Sequence, residues 1–243
     1  FSGGEGSVME SIVANYNATN PEYTVRNVQL DWGAYYTKLT TAVAVGKGPE
    51  IGISHLAKLP ELYDLGVVTA LDEPASKIDF DWTMVNQNNL AACTIDGSIY
   101  AVPLDTHPNV LYYNKDLFAA AGLDPEAPPT TWDELESAAL ALTKEVDGEQ
   151  QYGFGMATNN TIQMWPIMIW AGGGDFIGED GKSVFNSKEN VDTITRWSKL
   201  IKEDGIAPAV MTGADIDNLF AAGKLGMYFC GPWATGTFDA AGI

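Results

Sequence analysis

Val8, Ile12, Val13 and Tyr16 recur at helical spacing and stop at Asn20-Pro21, after which Tyr23 to Leu30 is rich in strand formers. Read in order, this is a helix and then a strand. Tyr36, Leu39 and Val43 keep helical spacing up to the glycines of GKGP. Ile51 to Ser54 reads as a short buried strand, and an apolar helix around Leu59 to Leu65 comes next. Such an alternation of β and α predicts helices covering a largely parallel sheet. Asp96-Gly97 then predicts a hairpin turn into Ser98 to Pro103, and a second extended run, Val110 to Asn114, follows almost at once.

From Asp116 the pattern turns to helices joined by acid-rich connections. Thr131 is placed as an N-cap, Glu134 three positions later completes a capping box, and Trp132, Leu135, Ala139 and Leu142 form an apolar stripe, so the spacing predicts a helix from about 132 to 144. Asn186 with Glu189 repeats the pattern before Ile194, Trp197 and Ile201. Short strands at about 152 to 157 and 225 to 230 bracket this second set. The run 104–114 is the natural crossing between two lobes, 1–108 and 109–243. No internal repeat is visible.

Composition sharpens the picture. At 243 residues the chain holds roughly 1.6 average domains, and 46% hydrophobic content supplies a sizeable core and excludes disorder. A net charge of −19 repels phosphate backbones and anionic membrane surfaces, which argues against nucleic-acid binding. The longest apolar stretch, around Trp165 to Ala171, falls well short of the roughly 18 to 20 residues that cross a bilayer, so the chain is expected to be soluble. It opens on Phe1 with no charged-then-apolar leader, and any signal or lipid anchor is expected upstream. Cys93 and Cys230 sit in apolar settings and read as buried free thiols rather than a bridge, which leaves the compartment open. The two histidines, His55 and His107, lie too far apart for a paired-histidine zinc motif, and no metal or other cofactor is expected.

No catalytic constellation stands out: there is no G-x-S-x-G elbow, no P-loop and no H-E-x-x-H. Gly3, Gly4 and Gly6 can open a helix and turn backbone N–H groups toward a ligand, without the spacing of a dinucleotide fingerprint. GEDGKS reads as a hairpin turn at Asp180-Gly181 rather than a calcium loop. Adjacent carboxylates such as Asp133 and Glu134 are explained by a helix start. What remains is a set of side chains at strand-to-helix junctions, where open α/β sheets meet their ligands: Trp32, His55, Asp105 with His107, and Trp233. Flat aromatic faces suit the C–H surface of a sugar, and carboxylate, amide and imidazole groups bond its hydroxyls at fixed angles. The mixture points to a neutral polyhydroxy ligand. Each has a plainer alternative, core packing for Trp32, Trp165, Trp170, Trp197 and Trp233 and structural hydrogen bonding for His55 and His107.

The segments GKGPEIGISH, LYDLGVVTALDE, DGSIYAVPLDTHPNVLYYNKDLFAAAGL, PPTTWDEL and AAGKLGMYFCGPWA resemble, in order and spacing, the extracellular solute-binding proteins of the maltose-binding type, which serve ABC importers. The resemblance spans almost the whole chain. It implies an α/β periplasmic-binding-protein type II fold, two lobes with a hinge and a ligand cleft, and no catalysis. It further implies a carbohydrate ligand, a membrane permease as partner, a monomer, and an extracytoplasmic location, either the periplasm or the cell surface as a lipoprotein. Carried over by position, Asp105 and His107 lie in the cleft beside the first crossing and Trp233 is the aromatic platform of the second lobe. Asn159 and Asn160 lie near the ligand, with Trp165 as a wall or a support behind it. Gly4, Glu5 and His55 lie in first-lobe loops that touch ligand, and Trp32 and Trp170 complete the candidate set. The usual strand before the first helix is almost absent and the chain stops soon after GPW, so a member truncated at both ends is expected. Two other readings stay open: the same fold binding a polyamine or an oxyanion, and a sugar-active enzyme with Asp105 as acid or nucleophile, which requires a second carboxylate roughly 5 to 9 Å away.

Overall fold

The computed structural model describes residues 4–158, 164–210 and 212–243. The chain divides into two compact units, Phe1–Thr106 and His107–Ile243.

In the second unit the sheet is built around one strand that is apolar at every position. β6 (Leu225–Cys230, LGMYFC) pairs antiparallel with β3 (Val110–Tyr113) and parallel with β5 (Glu149–Gly155), which pairs antiparallel with β4 (Lys144–Val146), giving the order β3-β6-β5-β4. A strand covered on both faces has no position where a polar side chain reaches water, hence the unbroken apolar run. Tyr228 and Cys230 pack with Ile216, Phe220 and Phe238. Met227 and Phe229 pack with Phe118, Leu142 and Phe154. One layer is therefore α10 (Gly213–Ala221) with α11 (Thr235–Ala241). The other is α6 (Lys115–Ala120), α7 (Trp132–Leu142), α8 (Met164–Ala171) and α9 (Lys188–Lys202).

Two glycines set how closely α7 lies on this sheet. A Cβ on Gly153 would stand 1.8 Å from the Ala139 carbonyl oxygen, and one on Gly226 would stand 2.7 Å from Leu142 Cδ1. Helix starts follow local chemistry. The Thr131 hydroxyl accepts from the Glu134 N–H at 3.2 Å while the Glu134 carboxylate accepts from the Thr131 N–H at 3.2 Å and from Thr130, the expected capping box. Helix α7 ends at Leu142, two residues before the expected limit, because Thr143 is already extended and leads into β4. At α9 the cap is Ser187 rather than Asn186. Its hydroxyl accepts from the Asn190 N–H, and the buried Asn190 amide donates to the carbonyls of Asp175, Val184 and Phe185, pinning the preceding loop.

The first unit contains α1 (Gly4–Thr19), α2 (Trp32–Ala44), α3 (Leu59–Asp64), α4 (Asp72–Lys77) and α5 (Gln87–Ala92). Among its described residues the sheet is a single hairpin of β1 (Thr94–Ile95) and β2 (Ser98–Ile99), turning at Asp96 and Gly97, both at positive φ. The expected strands at 23–30 and 51–54 carry no ladder, and Ile51 is 77% exposed rather than buried. An extended segment becomes a strand only beside a partner that takes its backbone N–H and C=O groups, and these segments have no neighbouring strand among the described residues. The apolar stripe of α1 forms as helix but stays largely open, with Val8 59% exposed. The largely parallel sheet expected from the alternation is thus corrected: one strand pair in the molecule is parallel among the described residues, and the second unit's sheet is mixed. Val110–Tyr113, expected in the crossing, is paired throughout with β6 and belongs to the second unit.

Both cysteines are free and buried. Burial raises the Cys93 thiol above its ordinary value and pushes Cys230 up to about 11, so both stay protonated and poorly nucleophilic at neutral pH. The Asp180-Gly181 turn is as expected, with Gly178 N–H donating to the Lys182 carbonyl at 2.8 Å. Among the described residues no helix is long and apolar enough to cross a membrane.

Three substitutions test this account of stability. Gly153→Ala forces α7 off the sheet and is expected to cost more than about 2 kcal/mol, whereas Gly236→Ala, helical and with nothing within 4 Å of the added methyl, is expected to gain roughly 0.5 to 1 kcal/mol. Urea midpoints check both. The hydrogen bonds from Thr130 and Thr131 hold the Glu134 carboxyl below its ordinary value. Its contribution is then complete above about pH 5 and is lost as pH falls through the lowered folded-state value. Glu134→Gln is expected to be less stable than wild type at pH 7, with the gap closing toward pH 3, as read from urea unfolding at the two pH values.

Candidate functional site

In the first unit the extended segment after α1 ends at Asp31, whose carboxylate accepts from the Gly33 N–H at 2.8 Å and starts α2. This places Trp32 in the first turn and Tyr35 and Tyr36 one turn on. The segment 51–55 runs beside that turn. Gly52 lies so close that a Cβ there would be 3.1 Å from the Tyr35 hydroxyl. His55 is brought against Trp32, ring centroids 4.3 Å apart, and Tyr36 lies 5.9 Å from Trp32 and 6.0 Å from His55. The Tyr36 hydroxyl oxygen accepts from the His55 backbone N–H at 2.9 Å and stands 2.7 Å from His55 Nδ1. Lys58 caps the Tyr36 ring at 5.6 Å and pairs with Glu61 at 2.8 Å. Trp32, Tyr36 and His55 are all half-buried. Burial is the main cause raising the Tyr35 and Tyr36 hydroxyls above their ordinary values, so both remain neutral phenols.

Gly4 and Glu5 form the first turn of α1, Glu5 half-buried. Gly6 is buried there because Gln29 lies where a Cβ would be, its amide donating to the Gly6 carbonyl at 3.2 Å and to the Glu10 carboxylate at 2.9 Å. Asp105 is exposed near the end of the unit, on a segment tied to α5 by the Asn89 amide, which donates to the Thr106 hydroxyl at 2.9 Å.

In the second unit β6 delivers the other candidate. It ends at Cys230, and Gly231-Pro232 turn the chain so that the half-buried Trp233 folds back over Gly231, where a Cβ would be 1.9 Å from the indole. Trp233 also packs against both apolar layers of the unit. The His107 imidazole stacks on it, centroids 5.4 Å apart and planes 28° apart. Trp233 is thus neither a free platform nor a fully buried core residue, and His107 shares the ring surface that the sequence assigns to a ligand. Trp165 is half-buried, its indole N–H donating to the Thr158 carbonyl at 3.3 Å. It lines a hollow of about 420 Å³ with Ile194, Ile201 and Val210. Trp170 turns outward, 55% exposed, its indole N–H donating to the Asp175 carboxylate at 3.1 Å and its ring meeting Phe176 edge-on. Trp197 is core, packed on Trp132 and Phe154. Asn159 and Asn160 lie outside the described residues.

Within each unit, then, candidates meet in pairs: Trp32 with His55, and His107 with Trp233. The sequence reading missed Tyr36, which it placed on an apolar stripe with Leu39 and Val43. One signal was available: consecutive tyrosines stand about 100° apart around a helix, so they cannot both lie at the centre of one apolar stripe. Each pair joins aromatic faces to groups that donate or accept hydrogen bonds, an arrangement suited to polyhydroxy ligands. Among the described residues no group of three or more His, Cys, Asp or Glu side chains could hold a metal.

Comparison with known proteins gives this arrangement its context. The family model for bacterial extracellular solute-binding proteins matches residues 2–242. The chain is 28% identical over 219 residues to the sn-glycerol-3-phosphate-binding periplasmic protein of Escherichia coli K12, covering 82% of this chain and 47% of that one. It superposes on an ABC transporter solute-binding protein of Thermotoga lettingae bound with α-D-tagatose with a TM-score of 0.86 and 28% identity, over 97% of this chain and 61% of that one. An ABC substrate-binding protein of Listeria monocytogenes in complex with cycloalternan gives 0.84 and 27%, over 98% and 61%. The chain therefore spans about half to three fifths of the length of these relatives, and its fold is that of the solute-binding proteins of ABC transporters. With the model matched from residue 2 to residue 242, the chain belongs to the bacterial extracellular solute-binding protein family.

Proposed function

We propose that the protein is the receptor of an ABC importer that captures a sugar or oligosaccharide and presents it to a membrane permease without chemical change. The observation that carries this reading is the pairing of aromatic faces with hydrogen-bonding groups in each unit, Trp32 and Tyr36 with His55 and Trp233 with His107. Similarity above 25% identity to proteins solved with tagatose and with cycloalternan supports it. In this reading the ring faces bury the C–H surface of the sugar, while Asp105, His55 and His107 bond its hydroxyls. Gly4, Glu5, Asn159, Asn160, Trp165 and Trp170 complete the proposed contacts. Membership in a family of binding proteins supports capture without catalysis, and the extracellular character of that family supports a site in the periplasm or at the cell surface.

Contacts with the ligand supply the binding energy. Micromolar affinity requires about −8 kcal/mol, within reach of a disaccharide-sized ligand at roughly −0.3 kcal/mol per heavy atom or somewhat better. A second reading, a glycerol phosphate ligand, is favoured by the identity to the Escherichia coli protein. Against it stand the net charge of −19 and the engagement of the nearby Lys58 by Glu61, which leave the first-unit cluster poor in cation for a phosphate.

A thermal-shift screen over mono- and oligosaccharides, with sn-glycerol 3-phosphate included, tests the reading, since a ligand that binds only the folded form raises Tm. A shift from a sugar is expected; a shift from the phosphate ester alone transfers the site to the second reading. With the best sugar, Trp233→Ala is expected to lose about 1 to 3 kcal/mol of binding by calorimetry. Asp105→Asn, which keeps the shape but replaces acceptor sites by donors, is expected to lose a similar amount, about 1 to 3 kcal/mol. Unchanged affinity in both variants removes these two residues from the site.

A further inference from the structure

The backbone on either side of Trp233 is held by one atom of another strand. From β3, the Tyr112 hydroxyl donates to the Gly231 carbonyl at 3.2 Å and stands 2.9 Å from the Thr235 hydroxyl. Both bonds can be made at once, since the phenol hydrogen goes to Gly231 and the Thr235 hydroxyl has a hydrogen of its own for the phenol oxygen. The Gly231 carbonyl also accepts from the Ala234 N–H at 3.3 Å, which closes the short turn Pro232–Ala234 that carries Trp233. Thr235 opens α11 directly after it. The Tyr112 ring is seated from both helices of its layer, edge-on to Phe238 with centroids 5.1 Å apart and to Phe220 at 6.4 Å, and β3 is paired along its length with β6. The turn is therefore tied to the sheet at a fixed point before the indole and at another after it. Trp233 in turn lies back over Gly231, with no room for a Cβ between them. The indole is also hydrogen-bonded to the Cys230 thiol and stacked with His107. Those contacts hold the ring by its own atoms, whereas Tyr112 holds the backbone from which the ring projects.

We propose that Tyr112 is a positioning residue for the second-unit half of the site: its hydroxyl fixes the turn from Gly231 to Thr235 and with it the angle at which Trp233 offers its ring to a ligand. This rests on the reading of Trp233 as a ligand contact. An aromatic face already held at its binding angle does not have to be ordered when the ligand arrives, so the Tyr112 hydroxyl acts on affinity through Trp233. The neighbouring Tyr113 supplies the contrast. Its hydroxyl donates to the Pro125 carbonyl at 3.0 Å and its ring lies beside Phe118, in the other layer. The two tyrosines give up comparable hydrogen bonds on losing their hydroxyls, and only Tyr112 is bonded to the Trp233 turn.

The test reads the indole and the affinity separately. 5-Fluorotryptophan ¹⁹F spectra of the ligand-free protein, with Trp233→Phe to assign its signal among the seven tryptophans, report the surroundings of the ring. In Tyr112→Phe, which keeps the aromatic ring beside Phe220 and Phe238, the Trp233 signal is expected to shift and broaden. The Kd for the best sugar of the screen, by calorimetry, is expected to rise roughly three- to tenfold, the scale of one hydrogen bond. Tyr113→Phe is expected to leave both the Trp233 signal and the Kd as in wild type. In the Trp233→Ala background Tyr112→Phe is expected to add no further loss of affinity. Thr235→Val removes the second partner of the hydroxyl and is expected to change signal and Kd in the same direction, which keeps the test decisive if Tyr112→Phe folds poorly. A Trp233 signal that neither Tyr112→Phe nor Thr235→Val alters overturns the proposal. Equal loss of affinity on Tyr112→Phe with and without Trp233 overturns it too, because Tyr112 then acts by another route, and so does an equal loss in Tyr113→Phe, which is the general cost of weakening β3. If Trp233→Ala leaves the Kd unchanged, or no sugar binds the wild type, the reading of Trp233 as a contact and the effect on affinity fall together, while the ligand-free spectrum still decides whether Tyr112 holds the ring.

Discussion

The second unit depends on burying β6 on both of its faces. Six apolar residues in a row, Leu225–Cys230, cannot lie at a surface, and with Tyr228 on one side and Met227 on the other they need two helical layers at once. Gly153 and Gly226 follow from that need, since α7 reaches the sheet only where no Cβ stands in its way. So does the direction in which the chain leaves the sheet: the strand ends under full cover at Cys230, and Gly231-Pro232 bring the indole of Trp233 out at the edge of the packed layers, with His107 stacked on it. A candidate binding side chain is therefore positioned by the most fully buried strand of the unit.

The first unit solves the same problem with polar chemistry. None of Trp32, Tyr35, Tyr36 and His55 is fully buried. What holds Trp32, Tyr36 and His55 together is ring contact plus two hydrogen bonds through a single hydroxyl. Such a cluster keeps its polar edges available while its faces remain apolar, and this is the combination a sugar demands.

Helix positions and types were legible wherever cap chemistry and apolar spacing agreed, as at Thr131 with Glu134 and in the stripe of α7, because both signals are local. The hairpin at Asp96-Gly97 was legible for the same reason: it needs two residues at positive φ and nothing from elsewhere. Of the candidate residues only Trp233 stands at a strand-to-helix junction among the described residues, just after β6, whereas Trp32 and His55 follow extended segments without a ladder and His107 lies within an irregular one. Sheet order and strand direction were not legible. That Val110–Tyr113 lies antiparallel to β6, and that Tyr23–Leu30 has no ladder among the described residues, depends on which distant backbone groups come alongside. Likewise the start of α9 moved from Asn186 to Ser187 because Asn190, buried, is committed to carbonyls in the preceding loop. By itself the sequence determined the capped helix at Thr131, the hairpin at Asp96-Gly97 and the apolar strand β6. Tertiary structure decided what each side chain faces: Tyr36 left its stripe to hold His55, and His107 came to share the ring of Trp233, because hydrogen bonds and ring contacts between segments far apart in the chain are set only when the segments pack.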